Sequence, residues 1–486
     1  MVARAADRTE PNTAEDGLPT PQRYWAVLTL MVGLAMSCLD TAIVNVALPT
    51  IARDLRADPA DSIWIVNAYQ LAVMVSLLSF ASFGDIFGYR RVYRFGLVLY
   101  TAAALISATA GSLEMLIIGR ALQGLGAAGV MSVNTALVRY TYPRRQLGRG
   151  IAMVALVVSV SSAAGPSVAA AILAVGPWPW LFAVNVPIGI ATLVLSLWFL
   201  PYTPPSEHRF DLWSAGLCAV MFGTLICGIN GLGHHQALPW VAGEFAAALL
   251  AGWLLVRRQL SQALPLLPVD LFRRSIFSLS VSTSVCSFVA QGIAFVALPF
   301  YFHDVLGASP VTTGLMMTPW AAMTAVMAPI AGRLADRYPA GILGGLGLAV
   351  LAGGFVALAV MPAHPPMTDV LLRVGLCGIG FGLFQSPNNR AIVAAAPRER
   401  SGGAGAIQGT ARLLGQSIGA ALVALVFGAA GGTQGSTIAI GLAAAFAAAG
   451  VLTSLSRLLD RPRRARPINP LSDNRPGRIG AHEPAE

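Results

Sequence analysis

Leu39-Asp40-Thr41-Ala42-Ile43-Val44-Asn45-Val46-Ala47-Leu48-Pro49 sets one carboxylate in an otherwise apolar run, and its last four residues return as Val296-Ala297-Leu298-Pro299. The offset is 250 residues (296 − 46). Further along, Gly84-Asp85 is echoed by Ala335-Asp336, 251 residues later (336 − 85). Gly126 pairs with Gly380, Asn134 with Asn388 and Pro143-Arg144 with Pro397-Arg398, each 254 apart (380 − 126). The echoes keep their order at a nearly constant spacing, so the chain is a duplication. An offset near 250 exceeds six membrane helices with their loops, and two six-helix halves flanking an insert account for it. Carriers are often built from repeats, with the substrate held at midplane between them.

Composition supports a membrane setting. Of 486 residues, 56% are hydrophobic and 11% charged, against roughly 25% charged in soluble domains. Long apolar stretches recur with short polar breaks, and a spanning helix needs about 20 such residues. The pattern predicts an all-α membrane protein with fourteen spans, near 24–48, 62–83, 92–110, 114–136, 150–174, 179–200, 211–231, 240–256, 277–301, 311–332, 341–361, 369–395, 403–430 and 435–459. The corresponding organisation is a tail at 1–23, a first half at 24–200, inserted helices seven and eight with a linker at 201–274, a second half at 275–456, and an Arg/Pro-rich tail at 457–486. The first residues are polar and acidic with no apolar core, which reads as a cytosolic tail rather than a signal peptide.

The formal charge is +10 and every basic residue is Arg. With the N-terminus inside, 27 Arg fall in cytoplasmic segments, two (Arg53 and Arg56) in the opposite loops, and three (Arg120, Arg373 and Arg412) within spans. That asymmetry is the positive-inside signal. It places both termini in the cytoplasm of a bacterial inner-membrane protein, and it explains the basic charge by topology rather than nucleic-acid binding. Five cysteines lie inside apolar stretches without metal spacing, so no metal, disulfide framework or cofactor is expected. The chain has no Lys, hence no phosphate loop of the Gly-Lys type, and no readable nucleophile–base set; an enzyme is not expected.

On these residues the chain resembles the major facilitator superfamily, and in particular its fourteen-helix drug/proton antiporter branch of the EmrB and QacA type. The first-helix run Leu39 to Pro49 is similar to that branch's motif. Ala81 to Arg91 resembles the superfamily's cytoplasmic-loop motif, departing at Ala81 and Ile86. Leu116, Arg120, Gln123, Gly124, Gly126, Ala127 and Ala128 match the proton-coupling motif of the fourth helix. Gly165-Pro166 is the core of the antiporter motif, although Ser161, Ala169 and Ala170 stand where other glycines would. Trp178 to Gly189 and Thr410 to Ala420 also resemble the branch. The resemblance implies a major facilitator fold and proton-driven export of amphipathic drugs or toxic compounds, the alternative being a dedicated exporter of one endogenous metabolite. The implied partners are a small-molecule substrate, protons and the lipid bilayer, with room for a periplasmic adaptor.

A charge at the centre of a membrane helix costs roughly 2.5–3.5 kcal/mol on insertion scales, so Asp40, Arg120 and Arg412 demand a reason. Asp40 lies nine residues before Pro49 and Arg120 seven after Leu113, which at 1.5 Å per residue is roughly 10–14 Å from the outer ends of their helices. The similar depth makes them candidates for a proton-coupling pair. Gln408, Arg412 and Gln416 recur every four residues, so they share one helix face on which the glutamines could satisfy the guanidinium. The resemblance places Gln123, Gln291, Phe295, Phe384, Gln385 and Asn388 in the substrate cavity, and Trp320, among the methionines of the tenth helix, joins them as a candidate; helices nine to thirteen carry no deep acid, which favours neutral or singly cationic substrates over dications. It assigns gating or conformational roles to Asp85, Gly88, Arg90, Arg91, Gly165, Pro166, Asp336 and Arg412, with Asp85 docking on the start of the thirteenth helix.

Overall fold

The computed structural model describes residues 17–204, 210–233, 236–261, 269–362, 365–395 and 401–459. Most of both expected tails, the His234-His235 pair and the loop carrying Arg398 and Arg400 lie outside these residues. Among the described residues every regular element is a helix. The first half is α1 (Gln22–Asp54), α2 (Trp64–Phe87), α3 (Tyr89–Ala108), α4 (Leu113–Thr141), α5 (Leu147–Val175) and α6 (Asn185–Phe199). Single turns at Pro59–Ser62 and Trp180–Ala183 lead into α2 and α6. The insert is α7 (Leu212–Gly233) and α8 (Leu238–Ser261). The second half is α9 (Ser275–Phe300), α10 (Pro310–Leu334), α11 (Ala340–Ala359), α12 (Met367–Ala395), α13 (Ser401–Ala430) and α14 (Gly432–Leu459).

Among the described residues, 12 helical stretches are long and apolar enough to cross a membrane, against the fourteen expected. Of the two helices outside that set, α3 carries Arg90, Arg91 and Arg94 in its first two turns, whereas α5 is itself 29 residues long, of which Ala164–Val175 is the apolar stretch counted among the described residues. Apolar side chains also face outward all round the bundle: Trp198, Leu249, Leu372 and Leu452 are each more than two-thirds exposed. A surface this apolar belongs in lipid, and the chain is a multi-pass membrane protein.

The duplication is visible atom by atom. A Cβ on Gly126 would lie 2.4 Å from Tyr100 N and 2.8 Å from Gly96 O; a Cβ on Gly380 would lie 2.4 Å from Leu351 N and 2.6 Å from Gly347 O. Glycine at these two positions is what lets α4 touch α3, and α12 touch α11, backbone to backbone. Likewise Asn134 Nδ2 donates to Leu30 O at 2.9 Å, and its repeat mate Asn388 Nδ2 donates to Ser280 O at 3.3 Å and Ser284 Oγ at 2.7 Å. Each asparagine pins the crossing of the fourth helix of its half over the first.

The halves meet along two seams. At one, α5 is wedged between α1 and α10: Gly165 abuts Ala42, where a Cβ would come within 2.2 Å of the alanine methyl, Gly314 lies under Pro166 O, and Ser167 Oγ bonds Thr318 Oγ1 at 2.9 Å. At the other, α2 meets α13, with Ser417 Oγ donating to Gln70 Oε1 at 3.1 Å. On the face opposite the chain termini both halves join one apolar cluster, to which Leu48 and Ile51 contribute from α1 and Phe300 and Phe302 from the second half. Arg53 closes over it onto Asp304 at 3.2 Å. The insert covers the second seam. Cys218 and Phe222 of α7 join Val73 and Leu413 in one cluster, Ile226 and Ile229 pack with Ala421, and Asp211 pairs with Arg258 of α8 at 2.9 Å.

Candidate functional site

Asp40 and Arg120 come together. Each side chain is 1% exposed, and Arg120 Nη1 donates to Asp40 Oδ2. The remaining groups are almost fully used. Gln123 Nε2 and Asn185 Nδ2 donate to Asp40 Oδ1 at 3.1 and 3.5 Å. Arg120 Nε donates to Ile65 O at 3.2 Å, and Nη1 also reaches Gln123 Oε1 at 2.8 Å. The guanidinium lies 4.2 Å from the Tyr69 ring centroid and 5.6 Å from that of Phe182, where the ring quadrupole attracts a cation. α1, α2, α4 and α6 all contribute, so the pair ties four helices of the first half together.

A cavity of about 1200 Å³, counting space that opens to solvent, lies between the halves. Cys38, Thr41 and Asn45 line it from α1, Tyr69 and Gln70 from α2. Across from them stand Gln291 and Phe295 of α9, Trp320 and Thr324 of α10, Gln385 of α12, and Arg412 and Gln416 of α13. The walls reach Met131, Val158 and Ala328 toward the face that carries the termini, whereas the opposite face is sealed by the cluster beneath Arg53 and Asp304. Tyr69 belongs to both features. Its ring faces Arg120 and lines the cavity, and its hydroxyl donates to Ser37 O of α1 at 2.9 Å. The ion pair therefore sits directly behind one cavity wall.

Of the residues assigned to the cavity from sequence, Gln291, Phe295, Trp320 and Gln385 line it. The other three are elsewhere. Gln123 is fully buried in the ion-pair network, Asn388 is spent on pinning α12 to α9, and Phe384 is buried on α12 within the second half's core. Sequence reasoning overlooked Asn185 and Tyr69. Asn185 is a polar residue in an apolar helix, and that signal alone could have flagged it.

The residues assigned to gating divide in the same way. Gly88 holds φ of 91°, open to glycine without strain, and a Cβ there would meet Thr203 O at 2.8 Å. Arg90 N donates to Thr203 Oγ1 at 3.3 Å and its guanidinium to Leu200 O at 3.4 Å. This loop thus clasps the strap that leaves α6 for the insert. Arg91 is exposed. Asp85 accepts a hydrogen bond from Tyr89 Oη, and Asp336 pairs with Arg390 of its own half. The structure shows Asp85 bonded within its own loop; its expected partner, the start of α13, adjoins residues that lie outside those described. Of the two glutamines that could have satisfied Arg412, Gln416 turns away: its Nε2 donates to Gln291 Oε1 at 3.1 Å, from α13 to α9.

Two duplicated helical halves around a central cavity, with a buried charge pair in one wall, define a membrane transporter. The chain belongs to the Major Facilitator Superfamily, whose model matches residues 30–420 and 280–476. It is 54% identical over 442 residues, 90% of this chain and 97% of the other, to the uncharacterized transporter YebQ of Escherichia coli K12. It is 30% identical to the multidrug efflux pump LfrA of Mycolicibacterium smegmatis, over 93% of this chain and 94% of LfrA. Among solved structures, a bacterial homologue of the human lysosomal transporter Spinster, inward-facing and unoccupied, superposes with a TM-score of 0.67 at 15% identity, covering 92% of this chain and 100% of that one.

Proposed function

We infer that this transporter is a proton-driven exporter of amphipathic drugs or toxic compounds, built on the fourteen-helix plan with both termini in the cytoplasm of a bacterial inner membrane. The observation that carries the reading is the Asp40–Arg120 pair set behind Tyr69 in the cavity wall. Asp40 is the proton carrier. Arg120 keeps its charge throughout and is the direct hydrogen-bonding partner of the Asp40 carboxylate. Protonation of Asp40 removes the attraction, and Arg120 then rests on Ile65 O, Gln123 Oε1 and the Tyr69 ring. A shift of Arg120 against Tyr69 moves a side chain that lines the cavity, so proton loading and cavity shape are linked through one residue. With the termini inside, the cavity faces the cytoplasm, where an exporter collects its cargo. Alternating access then requires the α1–α5–α10 seam, with Gly165, Pro166 and Gly314, to act as a pivot. Asp85, Gly88, Arg90, Arg91 and Asp336 hold the cytoplasmic loops, and the end of α1 disengages at Arg53 and Asp304. The similarity to LfrA, a multidrug efflux pump, supports this direction of transport.

The test is uptake into inverted membrane vesicles carrying the protein, across a panel of unrelated amphipathic dyes. Uptake of several dyes under an imposed pH gradient, abolished by a protonophore, is expected; uptake indifferent to the protonophore would contradict proton coupling. The topology has its own check. Reporter fusions at Pro143 and Pro467 are expected to read cytoplasmic and one at Gly307 periplasmic, and a periplasmic C-terminal reporter would overturn the fourteen-span plan.

A further inference from the structure

Among the described residues the cavity carries a single formal charge, and it is positive: its walls contain Arg412 and no Asp or Glu. Arg412 is half-buried, and among the described residues it has no ion pair and no hydrogen bond. Asp40 is committed to Arg120, and Gln416 to Gln291. A guanidinium left in a membrane cavity without an acid is costly unless something else meets it. Two further polar atoms on the same walls are also unmatched: the indole Nε1–H of Trp320, a residue 2% exposed, and Asn45 Oδ1, on a residue 5% exposed. The donors outweigh the acceptors. Arg412 brings five N–H groups in a planar fork suited to a carboxylate or a similar oxyanion, and Trp320 brings one more. Between them the wall is aromatic, with Trp320 edge-on to Phe295 at 5.2 Å and tilted against Phe381 at 6.3 Å.

We propose that the cavity recognises amphipathic monoanions, an aromatic or apolar body bearing one carboxylate-like group held by Arg412. This deepens, and rests on, the reading of the cavity as the substrate site. It reverses the sign of charge expected from sequence, which favoured neutral or singly cationic cargo. That expectation rested on the lack of deep acids in α9 to α13, and the same lack leaves Arg412 uncompensated. The aromatic wall takes the body, as apolar cavity linings do, and the charge-assisted bond to Arg412 fixes the head group. The guanidinium stands on α13, at the seam with α2. An anion bound there would draw α13 toward the substrate, so head-group recognition and movement of the halves share one residue.

The experiment uses three probes with the same anthracene body: the carboxylate, its carboxamide and a trimethylammonium analogue. Their affinities for the purified full-length protein are read by quenching of tryptophan emission. The carboxylate is expected to bind about tenfold tighter or more than the other two, the factor for one hydrogen bond to a charged group. Arg412→Gln is expected to remove that preference, its folding being checked separately by thermal unfolding of the purified variant. Arg412→Lys is expected to keep part of it, having the charge without the fork. Equal or tighter binding of the ammonium, no measurable binding of the carboxylate, or a preference that survives Arg412→Gln would each overturn the proposal. Uptake of the same probes into inverted vesicles separates it from the export reading: an Arg412-dependent preference in binding, with no uphill uptake, upholds anion recognition and removes proton-driven export.

Discussion

Arg120→Leu is expected to reach the membrane at a small fraction of the wild-type level and to unfold at a much lower temperature in detergent. Arg120 is among the largest fully buried side chains, and its loss strands Asp40, itself 1% exposed, without a cation. Breaking a buried pair from one side costs about 3–5 kcal/mol, because the remaining charge is uncompensated. The leucine also gives up the bonds to Ile65 O and Gln123 Oε1 and the stacking against Tyr69. Removing both charges should hurt less than removing one: Asp40→Asn combined with Arg120→Gln is expected to recover much of the lost abundance, since a neutral pair leaves no unpaired charge. Quantitative membrane blots and thermal unfolding of the purified variants give the comparison, and a double variant no better than Arg120→Leu alone would argue against charge stranding.

Asp40→Asn has the opposite profile, with folding nearly spared and function lost. Asparagine keeps an Oδ1 acceptor for Gln123 and Asn185. Arg120 keeps Ile65 O, Gln123 Oε1 and the ring of Tyr69, so its charge is less abandoned than Asp40 is in the reverse case. The variant cannot cycle between protonated and ionised forms. It is expected to bind substrate with near wild-type affinity and to exchange labelled for unlabelled substrate across vesicles, yet to build no gradient. A purely structural ion pair predicts instead a loss of folded protein with normal specific activity in what remains.

The helical class, the echo of Gly126 in Gly380 and the candidacy of Asp40 and Arg120 as a pair were legible in the sequence for one reason: the membrane makes unexplained charges and close glycines stand out. Gly126 and Gly380 match because both fill the same backbone contact. The polar residues were harder to sort. Gln123, Asn388 and Gln291 look alike in sequence, each a lone amide on an apolar helix. One holds an ion pair, one pins two helices, and one lines the cavity. Which role each takes depends on the rotation of its helix against neighbours from distant parts of the chain, and α-helical periodicity does not encode that rotation. The surroundings of Arg412 were hard to read for the same reason. Four-residue spacing aligned it with Gln408 and Gln416, but Gln416 turns across to Gln291 and leaves the guanidinium to the cavity. The count of spans differed where a helix carries charge in its first turns, as α3 does with Arg90, Arg91 and Arg94.

The central claim is that Asp40 carries the proton that drives export. It is tested most directly by reconstituting wild-type and Asp40→Asn protein into vesicles with an internal pH indicator and a fluorescent amphipathic substrate, then imposing a pH gradient. The account predicts that wild-type protein accumulates substrate while the gradient runs down faster than in empty vesicles, and that Asp40→Asn protein does neither while still exchanging substrate at equilibrium. Full gradient-driven accumulation by Asp40→Asn protein would contradict it.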